Sequence, residues 1–408
     1  MEDWKKYRLK DVATLTTGFP FDGHKYSKEG IRVVRGDNVT IGQLRWDTEK
    51  DKRWAESFDR AAEYSLCADD IVIGMDGSRV GKNRAQVKKE DLPLYIAQRV
   101  ACVRHNEKST QAFLYYQIFN KSFEKYVDAV HTGTSIPHVS LKQIGDYPIL
   151  LPSLQTQQKI ASILKPLDDK IEVNRRINEN LEQQAQALFK SWFVDFEPFK
   201  DQPFVESELG MIPQGWKVKS LSEIADYING LAMQKFRPIE GEKGLPVLKI
   251  KELGQGICDD NSELCSPSLI DDKYIIKNGD IIFSWSGTLM VKVWCGGKCG
   301  LNQHLFVVVP NGYPKWFVYQ WTKHHLDNFI RIAKDKAVTM GHIKREELDK
   351  AKVIIPNDEM LAKIDAIMYP IFDSVINNEL ESRRLAELRD ALLPRLMFGE
   401  IKVEDVTL

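Results

Sequence analysis

LKDVATLTTG, from Leu9 to Gly18, returns as LSEIADYING, from Leu221 to Gly230. The second copy begins 212 residues after the first in a chain of 408, the spacing of a duplicated half and not of a short solenoid repeat. The match continues downstream. IRVVRGDNV from Ile31 lies on LPVLKIKEL from Leu245, both with strand character. DDIVIGMDGS (Asp69 to Ser78) lies on GDIIFSWSGT (Gly279 to Thr288): an acidic turn, a buried apolar run and a loop of small residues. AQRVACV from Ala97 lies on NQHLFVV from Asn302, and FLYYQI from Phe113 on WFVYQW from Trp316, an aromatic helix of core character. TSIPHVSLKQIGDYPILLP (Thr134 to Pro152) lies on VTMGHIKREELDKAKVIIP (Val338 to Pro356), with His138 on His342. Each half predicts one α+β domain of about 150 residues ending in an Ile/Leu-Pro strand.

A helix follows each domain. In the first, Ile160, Leu164, Leu167, Ile171, Asn174, Asn178, Leu181, Ala185, Leu188 and Trp192 alternate by four and three, the seam of a coiled coil. The second carries a looser stripe of Ile364, Ile367, Ile371, Val375, Asn378, Leu385, Leu388 and Leu392. Pro166 and Pro370 occupy the same place in each copy and predict a break, leaving long helices over 166–193 and 370–393, about 42 and 36 Å long. Neither stripe can face water, so the two helices are expected to pair, antiparallel and about a pseudo-twofold axis. Leu164, Leu167, Ile171, Asn174, Leu181 and Leu188 would then meet Ile371, Val375, Asn378, Leu385 and Leu392. The asparagines read as packing specificity, since polar seam residues fix register. EPFKDQPFVESELGMIPQGW, from Glu197, is rich in Pro and Gly and reads as a linker. The expected division is a first domain over 1–152, a central helix over 153–196, a linker over 197–215, a second domain over 216–356 and a C-terminal helix over 357–408.

Composition limits the class. With 43% hydrophobic residues the chain can bury real cores in two or more domains. MEDWKKYRLK has no apolar h-region and no stretch approaches the roughly 20 apolar residues that span a bilayer, so a cytoplasmic place is expected and no membrane partner. Six cysteines do not make a disulfide scaffold in a chain this long and read as reduced thiols; Cys258, Cys265, Cys295 and Cys299 lack the usual paired spacings of a zinc site. A net charge of −1 excludes a polycation that coats nucleic acid, yet a balanced total can hide a basic face. RVGKNRAQVKK, Arg79 to Lys89, carries Arg79, Lys82, Arg84, Lys88 and Lys89 without an acid. By itself it reads as a solvated hairpin surface.

No local signature of catalysis is present. The chain has no phosphate-binding G-x-x-x-x-G-K-[ST], no G-x-G-x-x-G after a strand, no H-E-x-x-H and no G-x-S-x-G. The duplication keeps turns, strands and a helix seam while its loops differ, which suits two versions of a binding module on one frame.

WKKYRLKDVATLTTGF, WKVKSLSEIADYINGL, GDIIFSWSGT, GLNQHLFVV and above all LPSLQTQQKIASILKPLDDKIEVNRRINENLEQQAQALFKSWF followed by LGMIPQGWK resemble the specificity subunits of type I restriction-modification systems, over essentially the whole chain. AQRVACV departs from the N-Q-H form of the second half. The resemblance implies a non-catalytic subunit with two target-recognition domains, each reading one half of a split, asymmetric site in double-stranded DNA. It implies partners: two DNA-adenine methyltransferase subunits that use S-adenosylmethionine, and in the full complex two motor-nuclease subunits that use ATP and Mg. No cofactor is expected on this chain itself. It also raises Lys25, Arg35, Arg79, Lys82, Arg84, Gln98, Arg99, Ser135 and His138 in the first domain to candidate DNA contacts, with Ser284, Ser286, Thr288, Lys292, Gln303, His304, His342 and Lys344 in the second. The alternative is a stand-alone DNA-modifying or DNA-cleaving enzyme, which predicts activity from the chain with metal or S-adenosylmethionine alone. A coiled-coil adaptor that binds no DNA is a third reading.

Overall fold

The computed structural model describes residues 4–133, 136–335 and 341–406, so Ser135 lies outside the described residues. The chain divides into two compact units, Met1–Asp169 with Ala386–Leu408, and Lys170–Leu385. Each is built on a four-stranded antiparallel sheet. In the first unit its order is Ala13–Thr17, Val100–His105, Ile71–Gly74 and Arg84–Gln86. In the second it is Ala225–Asn229, Leu305–Pro310, Asp280–Ser284 and Met290–Trp294. A smaller sheet sits beside each, with Ile31–Val34 parallel to Leu94–Ile96 in one and Leu245–Leu248 parallel to Cys299–Leu301 in the other. A two-stranded ribbon, Lys5–Arg8 with Pro148–Leu151 or Lys217–Ser220 with Lys352–Ile355, joins the beginning of each half to its end.

Period-two alternation explains why the central strands are apolar on both faces. Ile71 and Ile73 enter a core shared with Phe113, Leu114 and Ile118 of the aromatic helix, whereas Val72 enters a second core with Val34 and Ile96 of the smaller sheet. Ile281 and Phe283 likewise pack with Trp316 and Phe317, and Ile282 with Leu248 and Leu301.

The repeated decapeptide makes the corner that feeds the large sheet. After each ribbon strand comes one helical turn, Leu9–Val12 or Leu221–Ile224, with its four apolar ends fully buried. The acid three residues past the N-cap accepts from the cap's own amide: Arg8 N to Asp11 Oδ2 at 2.9 Å, Ser220 N to Glu223 Oε2 at 2.7 Å. The closing glycine is fixed by a close approach. A Cβ on Gly18 would stand 2.1 Å from the Ile96 carbonyl oxygen, and one on Gly230 would stand 2.3 Å from that of Asn302.

The two long helices run without a break over Leu154–Phe193 and Asp358–Met397, 40 residues each. The expected breaks at Pro166 and Pro370 do not occur, and each helix is about 60 Å long instead of about 42 or 36 Å. Both prolines are exposed. The carbonyl four residues back, which loses its amide partner, belongs to Ser162 or Ala366, both also exposed, so solvent can reach it.

Each helix serves both units. In the first, Ile160 and Leu164 pack with Leu393, Leu396 and Met397. In the second, Ala185, Phe189 and Phe193 pack with Ile364 and Met368. Partners descend as positions ascend: Asp168 accepts from Arg389 at 2.7 Å in the first unit, while in the second Asn174 donates to Ser382 Oγ at 3.2 Å and Asn178 to the Val375 carbonyl at 3.0 Å. The pairing is antiparallel. Leu164, Leu167 and Asn174 are buried, and Ile171, Leu181, Leu188, Ile371, Val375, Asn378, Leu385 and Leu392 half-buried. Ile367 and Leu388 leave the seam and are exposed.

The expected linker is structured. Phe204–Ser207 pairs with Gly210–Pro213 as a hairpin, and Phe199 and Ile212 are buried in the second unit's core beside Trp216, with Phe199 edge-on to Trp216 at 4.9 Å. Its aromatics belong to that core, so the prolines and glycines shape turns there and not a free tether. All six cysteines are free thiols, and among the described residues no helix is long and apolar enough to cross a membrane.

Candidate nucleic-acid interface

In each unit three loops converge at one end of the large sheet, and the same three backbone hydrogen bonds tie them together. In the first, Met75 N donates to the Arg99 carbonyl at 3.0 Å, Gly77 N to that of Pro137 at 2.9 Å and Val139 N to that of Met75 at 2.9 Å. In the second, Trp285 N donates to the His304 carbonyl at 3.4 Å, Gly287 N to that of Gly341 at 3.0 Å and Ile343 N to that of Trp285 at 3.1 Å. Asp76 bridges His138 as Ser286 bridges His342, both antiparallel. The frame is the same in both halves; what it presents is not.

On the first frame Asp76 stands between two side chains. Its Oδ1 lies 2.5 Å from His138 Nδ1, and its Oδ2 accepts from Arg99 Nη1 at 3.3 Å. On the second, Ser286 Oγ lies 3.0 Å from His304 Nδ1, and Gln303 Nε2 lies 3.4 Å from His304 Nε2. Trp285 stands beside both His304 and His342, with ring centroids 6.1 and 6.3 Å away, and its indole N–H donates to Asn229 Oδ1 at 2.9 Å. The structure thus gathers Gln98, Arg99 and His138 at one site, and Gln303, His304 and His342 at its counterpart; Ser286, also expected as a DNA contact, is only 5% exposed and its hydroxyl is spent on His304. Asp76, Trp285 and Asn229 complete these sites and escape a search for donors: an acid on a DNA-facing loop reads as repulsive, and a tryptophan reads as core. Asp76 had one signal, its alignment with Ser286.

The remaining candidates divide by surroundings. Arg79 is exposed on the turn after Gly77, and Lys82 lies 3.8 Å from Asp128. Lys25 pairs with Glu56 at 3.1 Å, and Arg35 pairs with Asp37 and lies over the Tyr26 ring at 5.6 Å. Thr288 and Lys344 are exposed, with Lys344 3.9 Å from Glu346, and Lys292 donates to the Gly254 carbonyl at 2.9 Å. Two more expectations fail. Arg84 does not reach the surface: its side chain is 6% exposed, donates to Glu124 at 2.6 Å and lies over Phe119 and Phe123 at 5.3 and 5.8 Å. Burial pushes its guanidinium below the ordinary range, and Glu124 opposes that shift. Ser284 is fully buried and donates to the carbonyls of Ser286 and Thr288, at 3.2 and 2.8 Å, so it shapes the loop from inside. Both stand where strand periodicity turns a polar residue inward, which a count of basic or hydroxyl residues does not register.

Residues 1–183 and 213–390 each match the family described as the type I restriction modification DNA specificity domain. The chain belongs to that family. Both specificity-domain matches include the three-loop frame of their own half and most of the long helix that follows. Among curated relatives, the specificity subunit of the MjaIX type I restriction enzyme from Methanocaldococcus jannaschii is 32% identical over 304 residues, covering 72% of this chain and 70% of the relative. The HindI specificity subunit from Haemophilus influenzae is 24% identical, covering 98% of this chain and the whole of the relative. Among solved structures, the S subunit of a type I restriction-modification system from M. genitalium superposes with a TM-score of 0.55 at 16% identity, covering 97% of this chain and 96% of that one. At that identity the likeness concerns the fold of tandem specificity domains with long helices.

Proposed function

We propose that this chain is the DNA-reading subunit of a type I restriction-modification complex, acting in the cytoplasm and without catalysis of its own. One observation carries the reading. A specificity domain occurs twice on the same hydrogen-bonded frame, yet one copy carries Arg99 and His138 around Asp76 and the other carries His304 and His342 beside a buried Ser286. Two different readers on one chain suit a site with two different halves. Phosphate contacts from exposed cations such as Arg79 position each unit, and base contacts from the loop side chains select the sequence. The long helices offer exposed flanks to partners: two DNA-adenine methyltransferase subunits, which supply S-adenosylmethionine chemistry, and two motor-nuclease subunits, which supply ATP- and Mg-dependent cleavage.

Co-expression with the methyltransferase subunit, followed by sequencing of methylated DNA, tests this. The expected result is a two-to-one complex that methylates adenines in one bipartite asymmetric motif. Methylation or cleavage by the chain alone, or a complex with no sequence preference, would overturn it.

A further inference from the structure

We infer that Asp76 is a positioning residue that holds Arg99 for a bidentate contact with one guanine of the first half-site, an inference that rests on the DNA-reading role above. The Arg99 backbone has a φ of +66°, in the left-handed region that a residue with a Cβ avoids. Its carbonyl is tied to Met75 N within the three-loop frame, which holds it there. The equivalent His304 is not among the described residues with positive φ. From that backbone the Arg99 side chain reaches out 72% exposed, while Nη1 is held by an Asp76 carboxylate that is only 25% exposed. Asp76 is itself fixed by His138, which faces it across the backbone bridge.

This arrangement favours a base edge over a phosphate. A carboxylate beside an arginine repels the phosphate that the arginine would neutralise, so an arginine meant for the backbone gains nothing from Asp76. An arginine meant for a base gains a fixed plane, because its fork loses little further freedom when it docks. Guanine offers two acceptors, N7 and O6, on its major-groove edge, and the guanidinium fork matches both. The second unit has no carboxylate and no guanidinium at the equivalent places. His304 there, its Nδ1 3.0 Å from the buried Ser286 hydroxyl, offers no guanidinium fork, so the two half-sites differ at this position.

The test uses the chain assembled with its methyltransferase subunit and reads the methylated motif of Arg99→Ala, Arg99→Lys and Asp76→Asn complexes by sequencing. Each variant is expected to relax one guanine of the first half-site and leave the second half-site intact, with binding to the original site weakened roughly tenfold to a hundredfold for Arg99→Ala. Asp76→Asn should relax the same position while binding to unrelated DNA stays as strong or strengthens. Retention of the motif by Arg99→Lys would overturn the proposal, since lysine keeps the charge and loses the fork. So would a lower melting temperature for Asp76→Asn with every motif position intact, which is a structural role alone. A uniform loss of affinity on all sequences, with a salt slope lowered by about 0.9, would assign Arg99 to a phosphate. A wild-type complex without any defined motif would instead refute the DNA-reading role.

Discussion

Asn178 and Asn378 meet in the seam of the two long helices, where Asn378 Nδ2 donates to Asn178 Oδ1 at 2.9 Å and Asn178 Nδ2 donates to the Val375 carbonyl at 3.0 Å. Two amides among half-buried aliphatic residues satisfy one another only in this register. Asn178→Ala leaves the Asn378 amide with a donor facing apolar neighbours and should destabilise the second unit by about 1–3 kcal/mol. Replacing both with leucine removes the orphan and should recover most of that loss, as a fully apolar seam does. A double-mutant cycle in urea measures the coupling, expected at roughly 1 kcal/mol; strictly additive effects would show that the amides do not act as a pair.

Arg84 and Arg79 stand five residues apart in one basic run and should behave as opposites. Arg84→Ala strips a buried guanidinium from Glu124 and from the faces of Phe119 and Phe123, with an expected cost of about 3 kcal/mol and a clear fall in the first unit's melting temperature. Arg84→Met, which refills the apolar space, should cost less. Arg79→Ala with Lys82→Ala should leave melting nearly unchanged and reduce the log-log salt slope of DNA binding by up to about 1.8, about 0.9 for each phosphate left without its cation. If Arg84→Ala melted like wild type while changing the salt slope, the two assignments would be reversed.

The duplication is legible in the sequence because it is written in residues with few substitutes: a capping acid, a buried Leu or Ile, and a glycine pressed against a carbonyl. The helix seam is legible for the same reason, as apolar side chains at four-three spacing can only pair. What escapes depends on neighbours distant in sequence. Pro166 and Pro370 sit on exposed faces of continuous helices, and which face of a helix is exposed is a property of packing. Arg84 belongs to a basic run by sequence and to an aromatic pocket by fold. Asp76 gains its meaning from Arg99 and His138, 23 and 62 residues away.

His325 gives the second unit a sensitivity to acid. Its Nε2 lies 2.8 Å from the Lys352 carbonyl, which can only accept, so that nitrogen carries a proton. Burial pushes its pKa down to about 4 from 6.5, with the Lys352 contact opposing and His324 adding to the fall. A depressed folded pKa means that the unfolded chain takes up the proton first. The stabilisation is complete above pH 6.5 and is lost as pH falls towards 4, by at most roughly 3 kcal/mol. Melting temperature across that window should therefore fall more steeply for wild type than for His325→Gln, which keeps a donor and cannot titrate. Parallel curves would exclude His325 as the source.

The division of each helix between the units carries the last prediction. The first unit's core is completed by Leu393, Leu396 and Met397, and the second unit's by Phe189 and Phe193, which lie at the positions equivalent to Leu393 and Met397. A chain ending near Lys200 keeps the first domain but loses the segment that covers Ile160 and Leu164. It also keeps Phe189 and Phe193 without the domain that buries them. A second copy supplies both needs at once, its own Phe189 and Phe193 taking the place of Leu393 and Met397, and a closed twofold dimer satisfies each patch with its twin. Residues 1–200 should therefore be dimeric by light scattering. Combined with the methyltransferase subunit, such a dimer carries the Asp76–Arg99–His138 site twice, and the methylated motif should become an inverted repeat of the first half-site, since a twofold protein reads a twofold site. A stable monomer, or a dimer that still directs methylation to the asymmetric site, would show that the helix ends are not interchangeable between the halves.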